Sequence, residues 1–390
     1  MKKWITWLAF LPFALAIIFA THLYLGKIAR LPQPISAPAA PVAPADGATR
    51  IQVALLLDVS GSMDGLIEQA KSRLWQIVNE LGTAKYADQT PRLEIALYVY
   101  GGDDLDPGRG YVRQVVPLTP DLDLVSEHLF ALRTSGGEEY CGKVIELAHL
   151  ELAWSQQPAD LRMIFVAGNE PFSQGPVLYK QACEQAYKAG ILVNTIHCGD
   201  YREGVEGQWA DGAQAGGGQY MHIDHNQTVA DIPTPFDAEI VSLNSRLNTT
   251  YIAYGAEGLQ KQERQKMQDD NAASYGMSGL TTRGVAKSKK VYTNSTWDLV
   301  DAAQEPAFEL EKIDRTSLAD SLQQLPPADL KRLLDTKRQE REGIRTRINE
   351  LDVQRKAYIQ THQPATSEGL DVALIETVRK QAQAKNYRFD

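Results

Sequence analysis

The sequence predicts an α/β protein: a doubly wound, mostly parallel sheet, preceded by a transmembrane helix and followed by a mainly helical C-terminal region. Three observations predict this class. Uncharged, largely apolar residues fill Trp4 to Gly26, apolar runs alternate with amphipathic helical patterns from 50 to 234, and residues 237–390 are polar and helix-prone. The chain has 390 residues, of which 43% are hydrophobic and 23% charged. This is the composition of a folded protein.

Residues 1–30 are predicted to form a membrane anchor. No charged residue occurs between Lys3 and Lys27, and a helix of that length can cross a hydrocarbon core of about 30 Å. Lysines before an apolar run are also typical of a cleaved signal peptide, which is the alternative. Residues 31–48, rich in proline and alanine, predict an extended linker. We expect a single-pass protein of the inner (cytoplasmic) membrane with a periplasmic soluble part.

Residues 50–234 predict the doubly wound domain. The apolar run 51–57 (IQVALLL) ends at Asp58, as expected for a central strand buried on both faces. Residues 64–81 then show apolar positions at helical spacing. Ligands of such sheets bind beyond the carboxyl ends of the strands, where Asp58 lies. Further strands are predicted at 93–100, 111–116, 161–167, 191–197 and 219–223, and helices near 121–132, 141–155, 176–189 and 203–214.

A short signature, Asp58-Val59-Ser60-Gly61-Ser62, follows the first strand. It resembles the D-x-S-x-S metal-binding signature of the von Willebrand factor A family, and the resemblance covers residues 50–234. In that family, the two serine hydroxyls bind a divalent cation directly and the aspartate acts through water. The resemblance therefore implies a site for Mg²⁺, Mn²⁺ or Ca²⁺, hard cations that prefer oxygen ligands. The alternative is a turn that caps the following helix.

Two other loops depart from the family pattern. The family supplies a threonine from a Gly-Gly-Thr loop and an aspartate from a Thr-Asp-Gly turn. This chain has Glu138 at the threonine position, and Gly168 followed by Asn169 at the aspartate position. We expect Glu138 to restore the missing carboxylate. The predicted cation ligands are Asp58, Ser60, Ser62, Glu138 and Asn169. A degenerate site that binds no metal is the alternative.

Cys141 and Cys198 are both predicted to lie at the carboxyl-end rim of the sheet. Three interpretations are open: a Cys141–Cys198 disulfide, a soft-metal pair completed by His197, or two unrelated buried thiols. The third cysteine, Cys183, is predicted to be a small apolar core residue of a helix.

The C-terminal residues 237–390 show little strand pattern. A long charged helix is predicted after Leu325-Pro326-Pro327, extending to about residue 361. Its apolar stripe is incomplete, which fits either a helical hairpin with residues 370–384 or a helix that binds a partner.

The function predicted from these features is protein binding or envelope assembly without catalysis. A net charge of −9 argues against nucleic-acid binding, which requires a basic surface. The chain has no nucleophile-elbow, phosphate-loop or His-Glu-x-x-His motif. We expect a protein partner, a divalent cation that modulates its binding, and membrane attachment through the N-terminal helix. The alternatives are a metal-dependent hydrolase that uses Glu138 and Glu139, and a structural scaffold with a degenerate metal site.

Overall fold

A computed structural model describes residues 48–224, 232–362 and 370–389 of the chain. The predicted membrane anchor lies outside the described residues, as does all of the predicted linker except Ala48. Within the described ranges, no helix combines the length and the apolar composition needed to cross a membrane.

The described strands are β1 (Arg50–Asp58), β2 (Ala84–Lys85), β3 (Arg92–Tyr100), β4 (Val112–Thr119), β5 (Leu161–Gly168), β6 (Leu192–Cys198), β7 (Gly217–Ile223) and β8 (Arg388–Phe389). Six of them form one sheet in the order β4-β3-β1-β5-β6-β7, while β2 and β8 form a separate ribbon. Only β4 runs antiparallel to its neighbour in the large sheet. The chain therefore winds outwards from a central first strand in both directions, and the predicted doubly wound, mostly parallel sheet is confirmed.

The central strand β1 is buried on both faces. Val53 and Leu57 belong to one apolar layer, and Ala54 and Leu56 belong to the other, because successive residues of a strand point to opposite faces. This explains why the strand reads in the sequence as a continuous apolar run.

The helices that flank the sheet follow the predicted pattern closely. They are α1 (Asp64–Leu81), α2 (Leu122–Ala131), α3 (Cys141–Glu151), α4 (Tyr179–Lys188), α5 (Tyr201–Glu206) and α6 (Trp209–Ala215). The single helix predicted at 203–214 is two helices, because Gln208 adopts a left-handed backbone conformation (φ 70°) between them.

The C-terminal region is mainly helical, as predicted. Its α-helices are α7 (Asp237–Asn248), α8 (Gly258–Ala273), α9 (Gly276–Ser288), α10 (Leu299–Ala302), α11 (Asp320–Gln323), α12 (Pro327–His362) and α13 (Leu370–Ala384). The long helix α12 begins at the predicted proline pair, because proline is well tolerated in the first turn of a helix.

The helical region and the sheet share one apolar core. Leu243, Ile348 and Leu374, from three C-terminal helices, belong to the same cluster as Val53 and Leu57 of β1. Helix α12 packs on α7 and α9, whereas α13 packs mainly on α1 and β7. The hairpin predicted between α12 and residues 370–384 is therefore not formed, because α13 buries its apolar side against the sheet domain.

A buried ion network also joins the two regions. Arg283 of α9 is fully buried, donates to Asp269 Oδ1 of α8 at 2.9 Å and lies 2.8 Å from Asp123 Oδ1 of α2. Its guanidinium group stands 4.1 Å from the ring centroid of Trp75 on α1. Charges removed from water require such partners, so the network fixes α8 and α9 against α1 and α2.

We expect Arg283→Leu to lower the free energy of unfolding by about 3–5 kcal/mol, because it leaves the buried Asp123 without its cation and removes one of the two cations beside Asp269. Urea denaturation of the purified chain measures this loss. The control is Arg347→Leu, which breaks a solvent-exposed pair with Glu239 and should leave stability close to wild type. Equal losses in the two variants would contradict a special role for the buried network.

Candidate functional site

Three neighbouring strands end at the same level on the carboxyl edge of the sheet. Asp58, the last residue of β1, lies opposite Tyr100, the last residue of β3. On the other side of β1, Leu57 lies opposite Ala167, which precedes the last residue of β5, Gly168. The loops that follow these strands therefore leave the sheet side by side, at the place where doubly wound sheets bind ligands.

The signature loop folds around the carboxylate of Asp58. This side chain is fully buried, and its Oδ1 accepts the backbone N–H of Ser60 at 2.7 Å. The hydroxyl oxygens of Ser60 and Ser62 lie 3.3 Å apart. Helix α1 has Met63 as its N-cap residue, and no side chain caps it. The capping alternative is therefore wrong, because neither serine hydroxyl caps α1.

The loop after β5 brings Asn169 into this cluster, as predicted. Asn169 Nδ2 donates to Ser62 Oγ at 3.2 Å. Behind it, His197 Nε2 lies 3.3 Å from the carbonyl oxygen of Asn169, and Trp209 Nε1 donates to the carbonyl oxygen of Glu170 at 2.9 Å. These contacts from β6 and α6 hold the loop in position against Ser62.

The loop before α3 contributes Glu139, and not the predicted Glu138. Glu138 is exposed, whereas Glu139 is half-buried and interacts electrostatically with Asp58. Gly101 provides the space: a Cβ atom there would lie 2.7 Å from Asp58 Oδ1 and 2.8 Å from Glu139 Cγ.

The two carboxyl groups are electrostatically strained. Burial raises the pKa of Asp58 to about 6, against hydrogen bonds from Ser60 that lower it, and the charge of Glu170 raises it further. Burial also raises the pKa of Glu139 to about 7, with additional repulsion from Asp58 and Glu170. Both groups thus lack sufficient positive charge nearby when they are ionised.

Two oxygen atoms at the site have no hydrogen-bond partner among the described residues. They are Asp58 Oδ2 and Asn169 Oδ1, and both are buried. Buried acceptors without partners are uncommon, and oxygen atoms of these types suit hard divalent cations. The described ranges contain no group of three or more His, Cys, Asp or Glu residues arranged to hold a metal. A cation here would therefore depend on the serine hydroxyls as well as the carboxylates.

The predicted Cys141–Cys198 disulfide is not formed. All three cysteines are free and buried. Cys198 belongs to the apolar layer that contains α1, whereas Cys141 belongs to the layer on the opposite face of the sheet, together with Cys183. The predicted core position of Cys183 agrees with the structure. Cys141 and Cys198 were both predicted to lie at the same rim of the sheet. They lie on opposite faces of the sheet, which therefore separates the two thiols.

Sequence reasoning missed Tyr100 and Glu170. Tyr100 is fully buried and its hydroxyl donates to the carbonyl oxygen of Ala167 at 2.9 Å, so its ring reaches from β3 across the end of β1 to β5. Two features could have indicated it: a tyrosine that ends the strand next to Asp58, and the pair Gly101-Gly102 directly after it.

The solved structures similar to this chain cover somewhat less than half of it. BatB from Bacteroides thetaiotaomicron is 22% identical, with a TM-score of 0.34, over 45% of this chain and 90% of that one. The SpRpn10 VWA domain is 15% identical (TM-score 0.33; 47% and 100% of the two chains). A von Willebrand factor type A protein from Catenulispora acidiphila is 16% identical (0.34; 45% and 39%).

No protein-family model matches the chain, and no curated protein matches it. The similar solved structures nevertheless include von Willebrand A domains.

The raised pKa values predict a specific dependence of stability on pH. Asp58 and Glu139 keep their protons to higher pH in the folded protein than in the unfolded chain, so the folded state binds more protons between about pH 4 and pH 7. The contribution of these two groups to the free energy of unfolding therefore falls as the pH rises through this window, and it is constant above it.

Asp58→Asn should reduce the loss of stability between pH 5 and pH 8 by about 1–3 kcal/mol relative to wild type. Chemical denaturation in the presence of EDTA at several pH values provides the measurement. Glu138→Gln, at the exposed neighbour of Glu139, is the control and should follow the wild-type profile. If the stability of Asp58→Asn depended on pH as that of the wild type does, the pKa of Asp58 would not be raised in the folded protein.

Proposed function

We propose that this protein is a non-enzymatic protein-binding module whose partner surface is the carboxyl edge of the sheet around a divalent cation. The observation that supports it best is the buried carboxylate of Asp58, which has an unpartnered oxygen beside two serine hydroxyls that do not cap the helix. The ligands we propose are Asp58, Ser60, Ser62, Glu139 and Asn169. Glu139 takes the role that the sequence assigned to Glu138.

The charge of the site supports a cation. Asp58 and Glu139 bring two carboxylates together, which is the number that the family supplies from its first and fourth loops. When bound, a divalent cation would compensate these charges and offer a positive centre to an oxygen atom of the partner. Because burial and repulsion between the carboxylates raise the pKa values of Asp58 and Glu139, protons compete with the cation, which should bind more tightly as the pH rises through about 7.

The surroundings of the site favour a particular kind of partner. Ser62 and Glu138 are exposed and Glu170 is half-exposed, so the rim carries negative charge next to an accessible hydroxyl. A partner with an acidic patch would be repelled by Glu138 and Glu170. We therefore expect the partner to present neutral oxygen atoms, or neutral and basic groups together, at this surface.

Isothermal titration of Mn²⁺ into the full chain in detergent tests the proposed ligands. We expect saturable binding that Asp58→Ala abolishes and that Glu139→Gln weakens by about 10-fold or more. The matched control is Glu138→Gln, since it removes the same charge from the adjacent, exposed position. No binding by the folded wild-type protein would contradict the cation site, and equal effects of Glu138→Gln and Glu139→Gln would contradict the assignment of Glu139.

The hydrolase alternative retains one supporting observation. A carboxyl group with a pKa of about 7, as at Glu139, is suited to act as a general base near neutral pH. Turnover of an ester or peptide substrate that is lost in Glu139→Gln, and retained in Glu138→Gln, would favour this alternative over a binding module.

We also propose that residues 1–30 anchor the protein in the inner membrane, with the folded part on the periplasmic side. The support is the uncharged stretch from Trp4 to Gly26. A C-terminal alkaline phosphatase fusion to the full chain should be active, because that reporter folds only outside the cytoplasm, and the fusion should resist carbonate extraction. Activity in a fraction released by carbonate would indicate a cleaved signal peptide, and an inactive fusion the opposite orientation.

A further inference from the structure

The side chain of Tyr100 closes the carboxyl edge of the sheet above β1. Strands β3 and β5 flank β1, and adjacent strands lie about 4.8 Å apart, so the Tyr100 side chain and its hydrogen bond together cross the end of β1 to reach Ala167. Its hydroxyl donates to the Ala167 carbonyl oxygen at 2.9 Å and accepts the thiol of Cys141 at 3.5 Å. Burial raises the pKa of Tyr100 well above its ordinary range, and the hydroxyl therefore stays a donor.

Gly168 lies directly against this hydroxyl. A Cβ atom at Gly168 would be 2.5 Å from Tyr100 Oη and 3.0 Å from Asp58 Oδ2. Its φ angle is outside the left-handed region, so the backbone itself would accept another residue. Glycine is required here because space is lacking. No side chain, and hence no carboxylate, can enter from this position while the Tyr100 hydroxyl is present.

On the side of Asp58 that faces Gly101, there is room for a second side chain. Gly101 follows Tyr100 with a φ of +84°, and the space that a Cβ atom would take there is filled by Asp58 Oδ1 and Glu139 Cγ. Tyr100 and Gly101 are consecutive in the chain. The Tyr100 side chain excludes a side chain at position 168, in the loop after β5, whereas the missing side chain of Gly101 leaves room beside Asp58 for Glu139, in the loop before α3.

We propose that Tyr100 is the residue that determines which loop supplies the second carboxylate beside Asp58. Its hydroxyl excludes an acidic side chain at position 168, and the carboxylate comes instead from Glu139. The steric part of this inference concerns only Tyr100 and Gly168. The consequence for a cation rests on the proposed function.

A double-mutant cycle on thermal stability tests the steric part without any metal. Gly168→Ala should lower Tm by at least about 2–4 °C in the presence of EDTA, because the new methyl group meets the hydroxyl. In the Tyr100→Phe background, the same substitution should cost much less. The control is Gly136→Ala, at a position where a Cβ atom would meet no atom within 4 Å. An equal loss for Gly168→Ala in both backgrounds would overturn the proposal.

Moving the acidic residue from position 139 to position 168 tests the consequence for the cation, and the affinity for Mn²⁺ is the quantity measured. Glu139→Gln should lose affinity, Glu139→Gln with Gly168→Asp should not regain it, and the further addition of Tyr100→Phe should restore about 10-fold or more of the loss. Recovery with Tyr100 intact would overturn the inference, as would a folded triple variant without recovery. If the wild-type chain binds no Mn²⁺, the proposed function fails, while the stability cycle still decides the steric inference.

Discussion

The burial of one carboxylate, that of Asp58, is the constraint on which the upper edge of this protein depends. A carboxyl group at the end of a central strand leaves water, and its charged form is penalised unless donors or cations compensate it. The structure supplies only part of this compensation, through the backbone N–H and the side chain of Ser60. The remaining oxygen atom has no partner among the described residues. Space, hydrogen bonds and charge in the surrounding loops are arranged around this incompletely satisfied group.

The two glycines beside Asp58 show how space is divided between competing side chains. Gly101 leaves room for Glu139, and Gly168 leaves room for Tyr100. A tyrosine thus occupies one approach to Asp58 and a glutamate the other. Two carboxyl groups, those of Asp58 and Glu139, therefore lie together at this edge, and the Tyr100 hydroxyl fills the space beside Gly168.

The edge that contains Asp58 lies at the opposite end of β1 from Arg50, the first residue of that strand. Strand β1 has nine residues, and its two ends, Arg50 and Asp58, are separated by about 26 Å. At the lower end, Tyr387 near the C-terminus donates to the carbonyl oxygen of Arg50 at 3.1 Å. The helical region packs on one face of the sheet, so that the upper edge remains accessible.

The sequence by itself determined the six strands of the large sheet, most of the helices that flank them and the signature loop, because apolar periodicity is local. A strand buried on both faces reads as an unbroken apolar run, and an amphipathic helix repeats every three to four residues. It also located Asp58, Ser60, Ser62 and Asn169 at one edge of the sheet. Only the tertiary structure placed Glu139 beside Asp58 and left Glu138 exposed, since the packing of this loop is not recorded in a local pattern. The contact between Tyr100 and Gly168 crosses a third strand, and the layers of Cys141 and Cys198 lie on opposite faces of the sheet. Such relations depend on packing between distant segments, which no local pattern records.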